Sequence, residues 1–162
     1  DKIQRANLNG ENIEDIIDEL FVTGIDLDSV NNKIYWTNFS FIDRIKIQKA
    51  DLDGTNVENV VNGLFFPMEI ALDLTNNKIY WTDQTGLSAN KIQRANLDGS
   101  NVEDVITDLM SPRDIALDLV NNKIYWTNFS FENGDKIQRA NLNGENIEDI
   151  IEELCVTGID LD

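Results

Sequence analysis

Acidic side chains at recurring positions are the first candidates for chemistry in this chain. Asp26, Asp28, Asp73, Asp118 and Asp160 recur in short alternating apolar segments, and carboxylates converging on one axis can hold a divalent cation. The competing reading pairs one Asp per repeat with the base of the same repeat, Arg5, Lys49, Arg94 or Arg139, and this structural reading is preferred. A second acidic stretch, DLDGTN at 51–56, opens like a calcium loop with Asp51, Asp53 and Gly54. Its glycine stands fourth, where a hairpin turn wants it, whereas an EF-hand needs Gly at the sixth position and Glu at the twelfth. The stretch is read as a turn. The chain has no His, so Ser-His-Asp, Cys-His and His-metal arrangements have no starting material. No Gly-rich phosphate loop, dinucleotide fingerprint or nucleophile elbow occurs. No catalytic, cofactor-binding or metal-binding residue is assigned, and the ligand-binding residues stay unknown.

Charge narrows the partners. The chain carries 13 Lys plus Arg against 30 Asp plus Glu, a net −17. Without a basic patch it has no means of displacing counterions from phosphates, so nucleic acid is excluded. No apolar run approaches the roughly 18 residues of a membrane-spanning helix. Acidity of this kind serves solubility before it serves any cationic partner. The lone Cys155 has Phe21 as its counterpart in an earlier copy of the same stretch, and it is read as a small buried hydrophobe. With no initiator Met and no signal peptide, the chain is expected to be processed or to be part of something longer.

These residues sit in an internal repeat. NNKIYWT occurs at 31–37, 76–82 and 121–127, and KIQ[RK]A[ND]L[ND]G begins at Lys2, Lys46, Lys91 and Lys136. Residues 1–28 and 135–162 differ only at Asp18/Glu152 and Phe21/Cys155. A period of 44 or 45 residues is that of a propeller blade or a comparable supersecondary unit.

Each unit reads as four strands. DIALDL (114–119) alternates apolar and polar residues, the period of a half-buried strand. KIYWT is dense in β-branched and aromatic residues, and KIQRANL forms a third strand. The following NG or DG is read as a hairpin turn, since both residues tolerate positive φ. The fourth segment is ambiguous: Ile13, Ile16, Ile17 and Leu20 have helical spacing, with Asn12 as an N-cap. Ile and Val lose rotamer freedom in helices, and the sister segment NVENVVNGL carries Gly63 and three Asn. The reading is therefore outer strands at 12–19, 57–63, 102–108 and 146–153. Their acids would discourage pairing of exposed sheet edges.

At KIYWTD, 78–83, with EIALDL before it and KIQRANLDG after it, the chain resembles the YWTD repeats, also called low-density-lipoprotein-receptor class B repeats. The resemblance implies a six-bladed β-propeller, usually outside the cell or on its surface, that binds other proteins without catalysis. Tyr35, Trp36, Thr37, Tyr80, Trp81, Thr82, Tyr125, Trp126 and Thr127 match its first three letters. The final acid is matched only by Asp83, with Asn38 and Asn128 in its place elsewhere. In the family these residues tie a blade to its neighbours, and the ties are expected to be weaker at the two Asn blades, where charge assistance is lost.

The expected architecture is all-β: one propeller region, 1–162, of four-stranded antiparallel blades. It comprises 1–20 (strands three and four only), three whole blades at 22–63, 66–108 and 113–153, and a lone first strand at 156–162. That is about 3.75 blades and fifteen strands, too few to close a six-bladed ring. The function expected is a non-enzymatic protein-interaction module that binds protein ligands or, head to tail, further copies of itself. A self-assembling structural protein and an axial-metal lyase or hydrolase are the alternatives. Candidate ligand loops are 38–43, 83–90 and 128–135. Their Phe39, Phe41, Phe129 and Phe131 are read as fillers between blades ahead of exposed anchors.

Overall fold

In the computed structural model, residues 1–19, 21–40, 45–85, 89–130, 134–153, 156 and 158–161 are described. Fourteen strands run in order, with no helix among these residues. β1 (Lys2–Arg5) and β2 (Glu14–Asp18) form a two-stranded sheet. Three four-stranded blades follow, built from β3 (Val22–Asp28), β4 (Lys33–Asn38), β5 (Lys46–Asp51) and β6 (Glu58–Asn62); β7 (Pro67–Asp73), β8 (Lys78–Asp83), β9 (Asn90–Asn96) and β10 (Glu103–Leu109); and β11 (Pro112–Asp118), β12 (Lys123–Asn128), β13 (Asp135–Asn141) and β14 (Glu148–Glu153). All pairings are antiparallel between sequence neighbours, so each blade is a meander with its first strand innermost. The fold is a β-propeller sector.

The ambiguous fourth segment is a strand in every unit. Asn12, Asn56, Asn101 and Asn146 take φ near +55°, a left-handed conformation that ends any helical start and that Asn tolerates. The turn before it differs from the two-residue hairpin expected. Only the glycines, Gly10, Gly54, Gly99 and Gly144, have positive φ there. The Gly54 N–H donates to the Asp51 carbonyl at 2.9 Å, placing Gly at the fourth position of a turn, as type I turns prefer. Strands three and four are consequently joined by about six residues, not two.

Cross-strand ion pairs close each outer hairpin. Arg5 meets Glu14 at 2.7 Å, Lys49 meets Glu58 at 3.4 Å, Arg94 meets Glu103 at 2.6 Å and Arg139 meets Glu148 at 2.7 Å. This corrects the expectation that these bases pair with the innermost Asp. They lie on strand three, one strand closer to the fourth strand's acids than to the first strand.

The core lies between blades. Ile3 and Ile17 pack on Ile34, Trp36 and Ala50. Tyr35, Ile47, Val60 and Val61 pack on Ile70, Leu72, Ile79, Trp81 and Ala95. Ala71, Tyr80, Ile92 and Ile106 pack on Ile115, Ile124, Trp126 and Ala140. Residues 156 and 158–161 follow β14 without a ladder, although a first strand was expected there. The Ile159 N–H donates to Asp114 at 2.6 Å, but a strand at this place needs the next KIYWT segment to pair with.

Candidate functional site

The residues of the repeated motif point inward. Trp36, Trp81 and Trp126 are fully buried, each facing the preceding blade because residues two apart on a strand share a face. The Trp126 indole donates to Gln138 Oε1 at 3.1 Å. Two of the threonines, Thr37 and Thr82, join the inner strand of their own blade to that of the next. Thr37 Oγ1 donates to the Met68 carbonyl at 2.8 Å and accepts from the Gly24 N–H at 2.7 Å. Thr82 Oγ1 donates to the Arg113 carbonyl at 2.7 Å, and Thr127 accepts from the Asp114 N–H at 3.1 Å. Tyr35 and Tyr80 are buried, while Tyr125 is half-exposed.

The motif's last letter holds the segment that enters the blade. Asp83 accepts from the N–H groups of Phe65 and Phe66, at 3.3 and 2.7 Å. Asn128 Oδ1 accepts from the Ser111 N–H at 2.8 Å, its one backbone donor among the described residues. Asn38 reaches the Glu19 side chain at 2.9 Å. A carboxylate offers two acceptor oxygens where an amide offers one, which accounts for the doubled contact at Asp83.

At the inner edges a cleft of about 280 Å³ is lined by Ile25, Asp26, Glu69, Asp114, Ile115 and Asp160 among others. Each inner segment contributes one acid to it. Glu69 Oε1 accepts from Ile25 N–H of the preceding blade at 3.1 Å, and Asp26 accepts from Leu72 N–H of the next at 2.8 Å. Asp114 receives Ile159 N–H, and Asp160 receives Leu161 N–H at 2.8 Å. Burial pushes the Glu69 carboxyl up to about 7, with the charges of Asp114 and Asp26 adding to it. Burial also raises Asp26, and Asp160 contributes in the same direction. Among the described residues, no three acids stand close enough together to hold a metal ion.

The sequence reading placed Asp28, Asp73 and Asp118 at this axis, but they stand at the far end of their strands. There each accepts from the Asn three residues on, Asn31, Asn76 or Asn121, through both its backbone and side-chain N–H groups. Glu69 and Asp114 were overlooked. Their signal is an exchange between two positions of the inner segment: Gly24 with Asp26, Glu69 with Ala71, Asp114 with Ala116, Gly158 with Asp160. Space explains it. A Cβ on Gly24 would stand 2.7 Å from Glu69 Oε1 and 2.6 Å from the Met68 carbonyl oxygen. Glu69 therefore occupies room that Gly24 leaves.

The other singled-out residues have local partners. Asp51 binds Lys33 and Asn56, and Asp53 caps Thr55, so 51–56 is a turn. Phe39 stacks on Phe66 of the next blade with ring centroids 3.8 Å apart, and Arg113 lies over Phe129 at 4.1 Å. Phe41, Phe131 and Cys155 lie outside the described residues. Phe21, the counterpart of Cys155, is 45% exposed, so this position gives the buried-hydrophobe reading no support.

Residues 77–119 match the family model for the low-density lipoprotein receptor repeat class B. No curated protein matches the sequence at a significant level. Among solved structures, a chain of a nidogen/laminin complex is 27% identical with a TM-score of 0.74, over 86% of this chain and 52% of that one. A putative TolB from Agrobacterium tumefaciens is 15% identical with a TM-score of 0.75, over 91% of this chain and 55% of that one. A gluconolactonase from Xanthomonas campestris is 18% identical with a TM-score of 0.69, over 90% of this chain and 55% of that one. The chain thus spans about half the length of these structures, and the latter two share its fold. A class B repeat is matched at residues 77–119, and the same YWT motif stands in register in the blades on either side, so the chain carries repeats of the YWTD, or low-density-lipoprotein-receptor class B, type.

Proposed function

We propose that this chain is a non-enzymatic protein-interaction module, of extracellular or cell-surface type, that takes protein ligands or further copies of itself. The YWT[ND] residues serve as its scaffold and contact no ligand. The observation that carries this reading is the likeness to a chain of a nidogen/laminin complex, 27% identical over 86% of this chain, together with the class B repeat matched at residues 77–119.

The four axial carboxylates favour a second reading, a lyase or hydrolase with an axial divalent ion. Against it, Asp26, Glu69 and Asp114 each already bind backbone N–H groups of two inner segments, which gives them a structural task. Calorimetric titration with Ca²⁺ and Mg²⁺, together with assays of lactone hydrolysis, separates the two. No metal-dependent turnover is expected. Turnover that requires the ion and disappears in Glu69→Gln would replace the interaction reading.

A further inference from the structure

We infer that Asn38 and Asn128 are glycan acceptors in the unfolded chain alone, so that a glycan on either side chain and the folded blade exclude each other. The inference goes beyond the interaction reading and holds whether or not the chain binds protein.

The pattern Asn-x-Ser/Thr, with x other than Pro, marks an acceptor for Asn-linked glycan. It occurs twice in this sequence, as Asn38-Phe39-Ser40 and Asn128-Phe129-Ser130. Both stand at the last letter of the repeated motif. The blade between them has Asp83-Gln84-Thr85 at the same place, which keeps the hydroxyl residue and lacks the amide. Acceptors that are used lie in surface loops, and these two do not.

Asn38 closes β4 and lies in the ladder opposite Val22 and Lys46. Asn128 closes β12, opposite Pro112 and Lys136. They are 1% and 7% exposed. The amide nitrogen, the atom that would carry the sugar, is engaged in each. Asn38 Nδ2 donates to Glu19 Oε1 at 2.9 Å and Asn128 Nδ2 to Gln138 Oε1 at 3.0 Å. The amide oxygens accept from the Ser40 N–H at 2.9 Å and the Ser111 N–H at 2.8 Å. The next backbone amide is tied as well: Phe39 N–H donates to the Phe21 carbonyl at 2.8 Å and Phe129 N–H to that of Ser111 at 3.0 Å. This cover is internal, since Ser111 and Gln138 belong to the same blade as Asn128, and Glu19 follows the β1–β2 hairpin.

In the transfer, Asn Nδ2 attacks the sugar C1 of an oligosaccharide carried on a lipid diphosphate. The C1–O bond breaks, the diphosphate leaves with its electron pair, and Nδ2 gives up one proton. The sugar then needs room at an atom that has none. Interiors are close-packed, and sugar hydroxyls buried there would lose water without gaining partners. A glycan attached first therefore keeps the blade from closing, and a blade closed first hides Nδ2. A chain that reaches this structure has not met the transferase while unfolded, and the extracellular setting proposed above is one reached without that encounter.

Translation of the full chain, behind a cleavable signal, into microsomes that carry the transferase tests this. Limited proteolysis reads the fold, and a competing Asn-x-Thr acceptor tripeptide blocks transfer in the control. Chains with one or two glycans should form, and each should be cleaved roughly a hundredfold faster than unmodified chain, because cleavage follows the population of the open form. With the tripeptide present, modification should fall away and resistance return. Folded chain given to the same transferase in detergent should take no glycan. Asn128→Asp places there the acid that the middle blade already carries, so it should take one glycan at most and stay resistant when transfer is blocked. Glycosylated chains as resistant as unmodified ones, translocated chains that take no glycan, a glycan on chain folded beforehand, or sensitivity that persists when transfer is blocked would each overturn the inference.

Discussion

Glu69→Gln tests whether the axial acids carry an electrostatic load. The carboxyl is held at about 7 in the fold against 4.5 in the unfolded chain. Between these values the native state keeps a proton that the unfolded state releases, so the native state binds more protons and stability falls as pH rises through the window. At about 1.4 kcal/mol per unit, the displacement sets a ceiling of roughly 3 kcal/mol above pH 7. The cleft opens to solvent, and screening reduces this to about 1–2 kcal/mol. Gln keeps an Oε1 that can accept from Ile25 and Ile70 N–H as Glu69 does, and it has no charge to repel Asp26 and Asp114. At pH 8 the variant should be more stable by that amount, raising Tm by roughly 3–6 °C. At pH 4.5 the gain should disappear. Urea unfolding at the two pH values, taken as the difference between variant and wild type, isolates Glu69 from the surface carboxylates that titrate in the same range. A variant less stable than wild type at pH 8, or a gain equal at both pH values, would refute the reasoning.

Trp81→Ala should cost roughly 3–5 kcal/mol in chemical denaturation, since it empties a fully buried site between two blades; folded wild-type protein whose Trp emission is that of solvated indole would contradict this burial. Gly99→Ala and Gly10→Ala change the same residue at nearly the same φ, +84° and +81°. The second should lose only the left-handed penalty of about 1 kcal/mol. The first should lose a further 1–3 kcal/mol or so through its clash with the Val60 carbonyl, and equal losses at a dilution that keeps chains apart would refute the blade register. Thr82→Val leaves the Arg113 carbonyl without its 2.7 Å donor and should cost about 1–3 kcal/mol, with faster amide exchange at Glu69, whose N–H the hydroxyl accepts at 3.2 Å.

What happens inside one blade was legible from sequence. The period of 45 residues, the alternation in DIALDL and the dense KIYWT mark strands, because a meander pairs residues a short and constant distance apart and every unit repeats the same ladder. Even the helix-like spacing of NIEDII could be read as strand from its Ile content and from its Asn- and Gly-rich sister. The choices that the sequence left open depend on geometry between strands or between blades. Arg5 and Arg94 take the Glu across the outer hairpin because strand four adjoins strand three. Glycine takes the φ near +80° in each turn, and at Gly54, Gly99 and Gly144 the neighbouring blade's carbonyl also leaves no room for a side chain. The axial acids were half seen. Asp26 and Asp160 were named from their strand, while Glu69 and Asp114 needed the preceding and following strands to show that the room left by one residue's missing side chain is filled by another blade's acid. A local period records hydrogen bonding within a sheet, but the rotation of one sheet against the next, which decides what meets at the axis, exists only when the blades are stacked.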